Sequence, residues 1–288
     1  MKLLLVLSVL SLVSGLSASD AGWYKTAAFY QIYPQTFFDD AGKGTGTFSG
    51  IQSKLDYLKD LGIDCLWLTP IFKSSFNAYG YDITDYKDLD PRYGNQASFK
   101  ALIDAVHKRG MKIIVDFVPN HCGEAHEFFQ KSIKKEEGYD DWFVWTKVIN
   151  DEVTGKPSNW QRIGGGPGTS WTKARDNEFY YAQFHPNMPD FNLRNQKVID
   201  YLTGVMEFWL KLDIDGFRID AISHGVEVEK GADGKYPNEP IVEGVKNPED
   251  FGYLDHKFTQ DQPELFEIIY SWRKFLNEYQ VKNSGDTR

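Results

Sequence analysis

Two short apolar segments constrain the fold of this chain most strongly, because each follows an amphipathic helix and each ends in polar side chains. Residues 197–212 have apolar residues at helical spacing and lead, through a polar turn, to residues 216–221 (GFRIDA). Residues 96–109 show the same pattern, stop at Gly110 and lead to residues 111–121 (MKIIVDFVPNH). Helix, turn and apolar strand in this order predict successive repeats of a parallel α/β sheet.

The polar side chains of these two strands are expected to meet at one edge of the sheet. In the GFRIDA strand, alternate residues share a face, which places Arg218 beside Asp220. The other strand carries Asp116 and ends at Asn120 and His121. A cation and a carboxylate on a buried strand are costly unless a site uses them, although a structural ion pair is the alternative reading. Barrels of alternating strands and helices gather their active sites at this edge.

Four other segments occur in order around these strands: AFYQIYPQTF at 28–37, LGIDCLWLTPIF at 61–72, GYDITDY at 80–86 and MPDFN at 188–192. Together with the DFVPNH and GFRIDA strands, they resemble the motifs of the glycoside hydrolase family of α-amylases and α-glucosidases. The resemblance is closest to insect-type maltases and sucrases and runs from about Trp23 to the last residue. It is specific to the family but does not identify one substrate.

The resemblance implies an α/β fold, a TIM (β/α)8-type barrel in which eight strands alternate with eight helices. The apolar patterns predict four of those strands and a helix to accompany each. The strands are expected at 28–34, 64–69, 112–118 and 216–221, and the helices at 49–61, 96–109, 197–212 and 263–280. We therefore expect only the first four βα units here and interpret the chain as the N-terminal part of a longer protein.

A long segment after the third strand sets the expected domain boundaries. Residues 20–120 and 196–288 are interpreted as two parts of the barrel, and residues 121–195, which carry four tryptophans, as an inserted small domain. Residues 1–19 contain Lys2, a leucine-rich run and small residues, as is typical of a secretory signal peptide. Because that run is too short to span a membrane, the protein is expected to be secreted. A retained anchor is the alternative, and a surface tether beyond the chain is left open.

The carboxylates point to the chemistry. Retaining hydrolysis of a glycosidic bond needs a carboxylate nucleophile and a second carboxyl, about 5 Å away, that acts as acid and then base. Asp220 is the predicted nucleophile, and Arg218 on the same face should keep it ionised by lowering its pKa. The resemblance implies that Arg218 and His121 contact the bound glucose and that Tyr81 stacks under it.

The second carboxyl is expected to lie outside this chain. In the resembled family the acid/base glutamate stands at the end of a fifth strand. Glu264 and Glu267 lie on the preceding helix and cannot take its role, so the chain alone is expected to be inactive. Asp82 and Asp116 are predicted to support the site.

Two positions depart from the resembled family. Ala78 stands where its α-glucosidases usually carry an aspartate that closes the pocket on a terminal glucose, which weakens the expectation of exo-specificity. The loop at 39–50 matches a calcium-binding loop but has Ala41, Lys43 and Thr47 at three ligand positions. Calcium needs six to eight oxygen ligands, so neither calcium nor any other cofactor is predicted.

Composition limits the partners. The net charge is −9 and no basic cluster interrupts it, which argues against nucleic acid. Cys65 and Cys122 should lie near opposite ends of their strands, too far apart for a disulfide. Small α-glucosides such as maltose and sucrose are the expected substrates. A non-catalytic binding or receptor protein of the transporter-associated type is the alternative, and the oligomeric state is open.

Overall fold

The computed structural model describes residues 22–147, 149–150, 155–163 and 168–283, so the predicted signal peptide at 1–19 lies outside the described residues. The strands are, in chain order, β1 (Phe29–Ile32), β2 (Cys65–Leu68), β3 (Phe72–Ser74), β4 (Ile83–Leu89), β5 (Lys112–Phe117), β6 (Trp145–Thr146), β7 (Trp171–Lys173), β8 (Phe179–Tyr181) and β9 (Gly216–Ile219). The helices are α1 (Pro34–Phe37), α2 (Phe48–Ser53), α3 (Leu55–Asp60), α4 (Gln96–Lys108), α5 (Glu127–Ile133), α6 (Gln196–Leu210) and α7 (Glu264–Lys282).

Four of the strands form one parallel sheet, in the order β1, β2, β5, β9. Its register sets Trp67 beside Ile114 and Asp116 beside Arg218. Parallel neighbours joined through helices are the building units of an α/β barrel. Within the described residues, β1 and β9 each pair on one side only. The predicted parallel α/β arrangement is confirmed, while its extent as half of a barrel stays a prediction.

Helix α4 shows why the apolar spacing located the helices well. A capping box between Asn95 and Ser98 begins it, and Gly110, with φ of +64°, turns the chain away after its end. Four apolar residues at helical spacing are fully buried: Phe99, Leu102, Ile103 and Val106. Helices α6 and α7 likewise lie where the pattern predicts them, each within about two residues of the expected ends.

Two boundaries differ from the prediction. The helix expected at 49–61 is divided into α2 and α3, because Lys54 leaves the helical conformation with φ of −105° and ψ of 5°. The strand expected at 28–34 ends at Ile32, because Pro34 begins α1. The fixed φ of proline suits the first position of a helix.

An antiparallel hairpin of β3 and β4 occupies a segment predicted as a long loop. Register shifts interrupt its pairing, so the buried residues of β4, Ile83, Tyr86 and Leu89, recur every third position instead of every second. A period-two search therefore does not find this strand. Trp209 of α6 fastens the hairpin to the core, because its Nε1 donates to the Tyr86 carbonyl at 2.7 Å.

The segment predicted as an inserted domain contains α5 and a three-stranded antiparallel sheet in the order β6, β8, β7. A small cluster of buried side chains belongs to this segment, namely Val144, Trp160, Trp171, Phe179 and Tyr181. Phe129, Phe143 and Phe191 instead join the main core. The segment thus has its own sheet but shares apolar contacts with the main core, and its status as a separate domain stays a prediction.

Neither cysteine forms a disulfide, since Cys65 and Cys122 are both buried free thiols. Among the described residues, the helices all fall short of the length and apolarity required to cross a bilayer.

Candidate active site

The carboxyl ends of β5 and β9 bring three charged side chains together. Asp116 on β5 lies in register with Arg218 on β9. Asp220 directly follows β9, and its backbone N–H donates to the Phe117 carbonyl at 2.8 Å. Ala221 then adopts a left-handed conformation with φ of +50°, so the chain leaves the sheet immediately after Asp220. The two-residue period of the strand explains why Arg218 and Asp220 share a face.

Arg218 bridges the two carboxylates. Its Nη1 donates to Asp220 Oδ1 and lies 3.5 Å from Asp116 Oδ1. Burial raises the pKa of Asp220 above its ordinary value, although the Arg218 charge and hydrogen bond lower it. The predicted effect of Arg218, which is to lower the pKa of Asp220, is therefore confirmed. The loss of hydration on burial, which the sequence analysis did not consider, outweighs it.

Asp116 is fully buried and accepts hydrogen bonds on both oxygens. The indole Nε1 of Trp67 donates to Oδ1 at 2.6 Å, and the Tyr81 hydroxyl donates to Oδ2 at 2.9 Å. Burial raises the pKa of Asp116 to about 6, while Arg218 and these two donors oppose the rise. Asp116 therefore contacts Trp67, Tyr81 and Arg218 at once, and its supporting role in a site stays a prediction.

Tyr81 is half-buried at the end of a tight loop that Asp82 stabilises. The Asp82 carboxylate accepts from the Asn77 backbone N–H at 2.9 Å, which closes the loop, and Gly80 supplies a φ of +98° before Tyr81. Burial raises the pKa of Tyr81 well above its ordinary value, so its hydroxyl remains a donor to Asp116. The structure thus places the Tyr81 hydroxyl at Asp116 and the Asp82 carboxylate in the loop before Tyr81, while the roles of both residues in a sugar site stay predictions.

His121 lies beside this group, where β5 leads into the long segment. It is 1% exposed, its Nδ1 is 3.2 Å from Asn120 Nδ2, and its ring centre is 5.1 Å from that of Phe184. Burial lowers the pKa of His121 to about 4, so the ring is neutral at pH 7. Because the Asn120 amide nitrogen is a donor, Nδ1 accepts and the proton is on Nε2. The ring also interacts with the Tyr81 backbone, which partly opposes the fall in pKa, although the buried Nε2 makes no hydrogen bond of standard geometry among the described residues.

Sequence reasoning missed two aromatic residues of the site, Trp67 and Phe184. Trp67 contacts Asp116 through its indole nitrogen, and the Arg218 guanidinium carbon lies 4.8 Å from the centre of its ring. A signal existed, since Trp67 occupies the strand next to that of Asp116. Its meaning depends on the lateral register between β2 and β5, which no single segment reveals.

The acidic loop at 39–50 is held by its own backbone. Asp39 accepts from the N–H groups of Lys43 and Gly44 at 3.0 and 2.7 Å, and Thr47 donates to Asp40 at 2.6 Å. Among the described residues, no cluster of three or more His, Cys, Asp or Glu side chains suits a metal ion. That calcium does not bind this loop stays a prediction.

Comparison with known proteins relates this chain to one family, that of the alpha-amylase catalytic domain. A family profile described as the catalytic domain of alpha amylase matches residues 31–286. Maltase A2 of Drosophila melanogaster is 42% identical over 273 residues, which are 94% of this chain and 48% of that protein. The human amino acid transporter heavy chain SLC3A1 is 31% identical over 281 residues, which are 97% of this chain and 40% of that protein.

A solved structure shows the same fold. The α-glucosyl transfer enzyme XgtA matches with a TM-score of 0.81 at 34% identity, over 89% of this chain and 48% of that one. The chain therefore spans about half the length of XgtA and of Maltase A2, and less of the transporter heavy chain.

Proposed function

Because the chain belongs to the α-amylase family, we propose that it carries the nucleophile side of a retaining α-glucosidase active site. The substrates are small α-glucosides such as maltose and sucrose. The observation that carries the proposal is Asp220 at the carboxyl end of β9, held by Arg218 beside Asp116. Three polar groups thus converge where α/β barrels place their chemistry.

In the proposed mechanism, one Asp220 oxygen attacks the anomeric carbon of the glucosyl unit while the bond to the leaving oxygen breaks. A covalent glucosyl ester forms, and water later displaces it at the same carbon. Arg218 keeps Asp220 ionised and oriented. The Tyr81 ring supports the sugar from below. The contact of His121 with the glucose stays a prediction of the family resemblance, because its ring is 1% exposed in this structure.

The acid that protonates the leaving oxygen is not supplied by Asp116. Asp116 is 0% exposed, and both of its oxygens already accept hydrogen bonds from Trp67 and Tyr81. Glu264 pairs with Arg194, while Glu267 is exposed on α7. We assign the acid/base role to a carboxyl outside the described residues, so the chain by itself hydrolyses no unactivated disaccharide.

The open sheet supports the proposal that this half of a barrel is completed by further strands. An open cavity of about 580 Å³ lies against one face of the sheet and is lined by residues of β1, β2, β5, β9 and α7. It is lined largely by apolar side chains, among them Phe29, which is 42% exposed. Unpaired edges and exposed apolar surface are unfavourable for a protein in water. Eight strands close such a barrel, and the sheet described here has four.

A substrate with a good leaving group tests the nucleophile without the missing acid. We would incubate the chain with 5-fluoro-α-D-glucosyl fluoride, from which fluoride departs with little acid assistance, and map the labelled peptide by mass spectrometry. The proposal predicts a stable ester on Asp220 that is absent from Asp220→Asn. A label on another carboxylate would assign the nucleophile elsewhere.

A non-catalytic binding protein is the second candidate, favoured by the similarity to the transporter heavy chain SLC3A1 and by Ala78 at the mouth of the site. It predicts no ester on any residue, together with sugar binding that Asp220→Asn does not alter. The intact Asp220, Arg218 and Asp116 contacts favour the enzyme.

We also propose that the protein is secreted. After expression in cells, the protein should be found in the culture medium, and its retention inside the cells would contradict this proposal.

A further inference from the structure

Trp67 makes two contacts that link β2 to the proposed nucleophile. The residue is half-buried in β2, and its neighbour in the sheet register is Ile114, two residues before Asp116. Its indole Nε1 donates to Asp116 Oδ1 at 2.6 Å. Its ring face lies against Arg218, with 4.8 Å between the guanidinium carbon and the ring centre. The edge and the face of one side chain thus hold two different charged residues.

We propose that Trp67 is a positioning residue for Asp220, because it fixes Asp116 through the indole N–H and fixes the Arg218 guanidinium through the ring face. The inference rests on the proposed role of Asp220 as nucleophile. Trp67 acts on Asp220 only through Arg218 and Asp116, so it is not a catalytic residue. Its role is to define where the cation lies.

Arg218 needs such a support because its side chain is long and 36% exposed. The Nη1 atom alone makes the contacts to Asp116 and Asp220, so a rotation of the guanidinium plane would break both. An aromatic face attracts a guanidinium and restricts its plane. Asp116 also contacts the guanidinium through Nη1, so Arg218 faces Asp220 in a single orientation.

The hydrogen bond from Trp67 also sets the charge of Asp116. The charged and titratable groups that face Asp116 are Arg218, Tyr81 and Asp220. Burial raises the pKa of Asp116 to about 6, and the Trp67 N–H is one of the groups that oppose the rise. Without that donor, more of the Asp116 population is protonated near neutral pH. A protonated Asp116 attracts Arg218 less, which frees the guanidinium to move.

Two substitutions separate the N–H from the ring. Trp67→Phe keeps an aromatic face and removes the donor, while Trp67→Leu removes both. We would titrate the Asp116 carboxyl carbon by NMR and record the Arg218 side-chain shifts. Both variants should move the Asp116 midpoint upward by about one pH unit. Trp67→Leu alone should abolish the ring-current shift of the Arg218 protons. An unchanged midpoint in Trp67→Phe would overturn the proposal.

Trp142→Phe is the matched control, because the Trp142 Nε1 donates to the Gly138 carbonyl at 2.9 Å, away from the site. It should leave the Asp116 midpoint unchanged, and an equal shift there would mark a general loss of packing and overturn the proposal. If the Trp67 variants fail to fold, the proposal can be tested on the unaltered protein. Its Trp67 indole proton should titrate with the Asp116 midpoint, whereas a pH-independent indole shift would overturn the inference.

These titrations require no turnover, so they are independent of the labelling of Asp220. If the Asp116 midpoint shifts as predicted in the Trp67 variants but Asp220 is not labelled, the proposed function fails. Trp67 would then still be the residue that orders the Arg218–Asp116 pair. Labelling with an unchanged Asp116 midpoint would keep the function and remove the role of Trp67.

Discussion

The strand pair β5–β9 has aspartates at both ends, Asp215 before β9 and Asp116 and Asp220 at the carboxyl ends, and the surroundings of the two ends differ. At the amino end, Asp215 accepts from the Ile113 N–H at 2.9 Å and lies 2.7 Å from His107 Nε2 and 3.0 Å from Lys112 Nζ. Burial disfavours its charge, but these partners together lower the pKa of Asp215 below its ordinary value. This carboxylate is fully compensated.

At the carboxyl end, one cation serves two carboxylates. Arg218 contacts both Asp116 and Asp220, and burial leaves both of their pKa values above the ordinary range. The two ends thus distinguish a structural ion pair from the one that we propose to be reactive. A carboxylate that only stabilises the fold has enough hydrogen-bond donors and cations around it to favour its ionised form. Buried carboxylates with too few such partners are typical of functional sites.

The largest expected difference concerns activity. Asp220→Asn should lower maltose hydrolysis by about 10⁴-fold or more in a complete barrel, because it removes the nucleophile. Asp215→Asn, the same change at the other end of the strand pair, should retain most of the activity per folded molecule. Initial rates normalised to folded protein would measure both. Equal losses would mean that the two ends do not differ in function.

Stability should show the reverse order. Asp215→Ala leaves His107 and Lys112 without their buried carboxylate and should lower the free energy of unfolding by about 3–5 kcal/mol. Asp220→Ala should cost less, because the half-exposed Arg218 regains water and Asp116 still faces it. Urea unfolding at neutral pH would compare the two variants. A greater loss for Asp220→Ala would contradict this view of the two ends.

The pH dependence of stability should have opposite signs at the two ends. The folded state raises the pKa of Asp116 from 3.8 to about 6, so it binds this proton more tightly than the unfolded chain does. The unfolding free energy should therefore fall by about 3 kcal/mol as pH rises from about 4 to about 6. For Asp215 the pKa is lowered, so its contribution is present above the ordinary carboxyl range and is lost as pH falls through the lower folded value.

Asp116→Asn provides the check on this sign. It should flatten the decline in unfolding free energy between pH 4 and pH 6, whereas Asp215→Asn should leave that decline in place. Denaturant unfolding at several pH values would show it. An unaltered slope in Asp116→Asn would mean that Asp116 titrates in its ordinary range.

The smallest expected effect concerns the turns that flank the two ends. Ala221 follows Asp220 with φ of +50°, and Gly110 precedes β5 with φ of +64°. A side chain in this region costs about 1 kcal/mol, which glycine avoids. Ala221→Gly should therefore stabilise the protein by about 0.5–1 kcal/mol, and Gly110→Ala should destabilise it by about 1 kcal/mol. Thermal unfolding of both variants would measure the difference, and shifts of the same sign would contradict it.

The sequence located the charged group because the necessary rules are local. A two-residue strand period puts Arg218 and Asp220 on one face, and parallel strands bring Asp116 to the same edge. The effect of Arg218 on the pKa of Asp220 was predicted with the right sign, because a neighbouring arginine is visible in the sequence, but the larger and opposite effect of desolvation is not. The contribution of burial exists only once the surrounding elements have packed.

Other features depended on contacts between distant segments. The sequence analysis assigned no role to Trp67, because its bond to Asp116 appears only when β2 and β5 align. The β3–β4 hairpin escaped prediction because shifts in its register remove the alternation that identifies strands. Helices α4, α6 and α7 were predicted well because their periodicity is contained within the segment itself.

A titration of the aspartate carboxyl carbons by NMR, on one sample of the folded chain, tests the difference between the two ends most directly. We predict that Asp220 and Asp116 titrate above the ordinary aspartate range and that Asp215 titrates below it. If Asp220 titrates below that range together with Asp215, both ends are compensated ion pairs. The pKa values would then give no reason to regard the carboxyl end, rather than the amino end, as a reactive site.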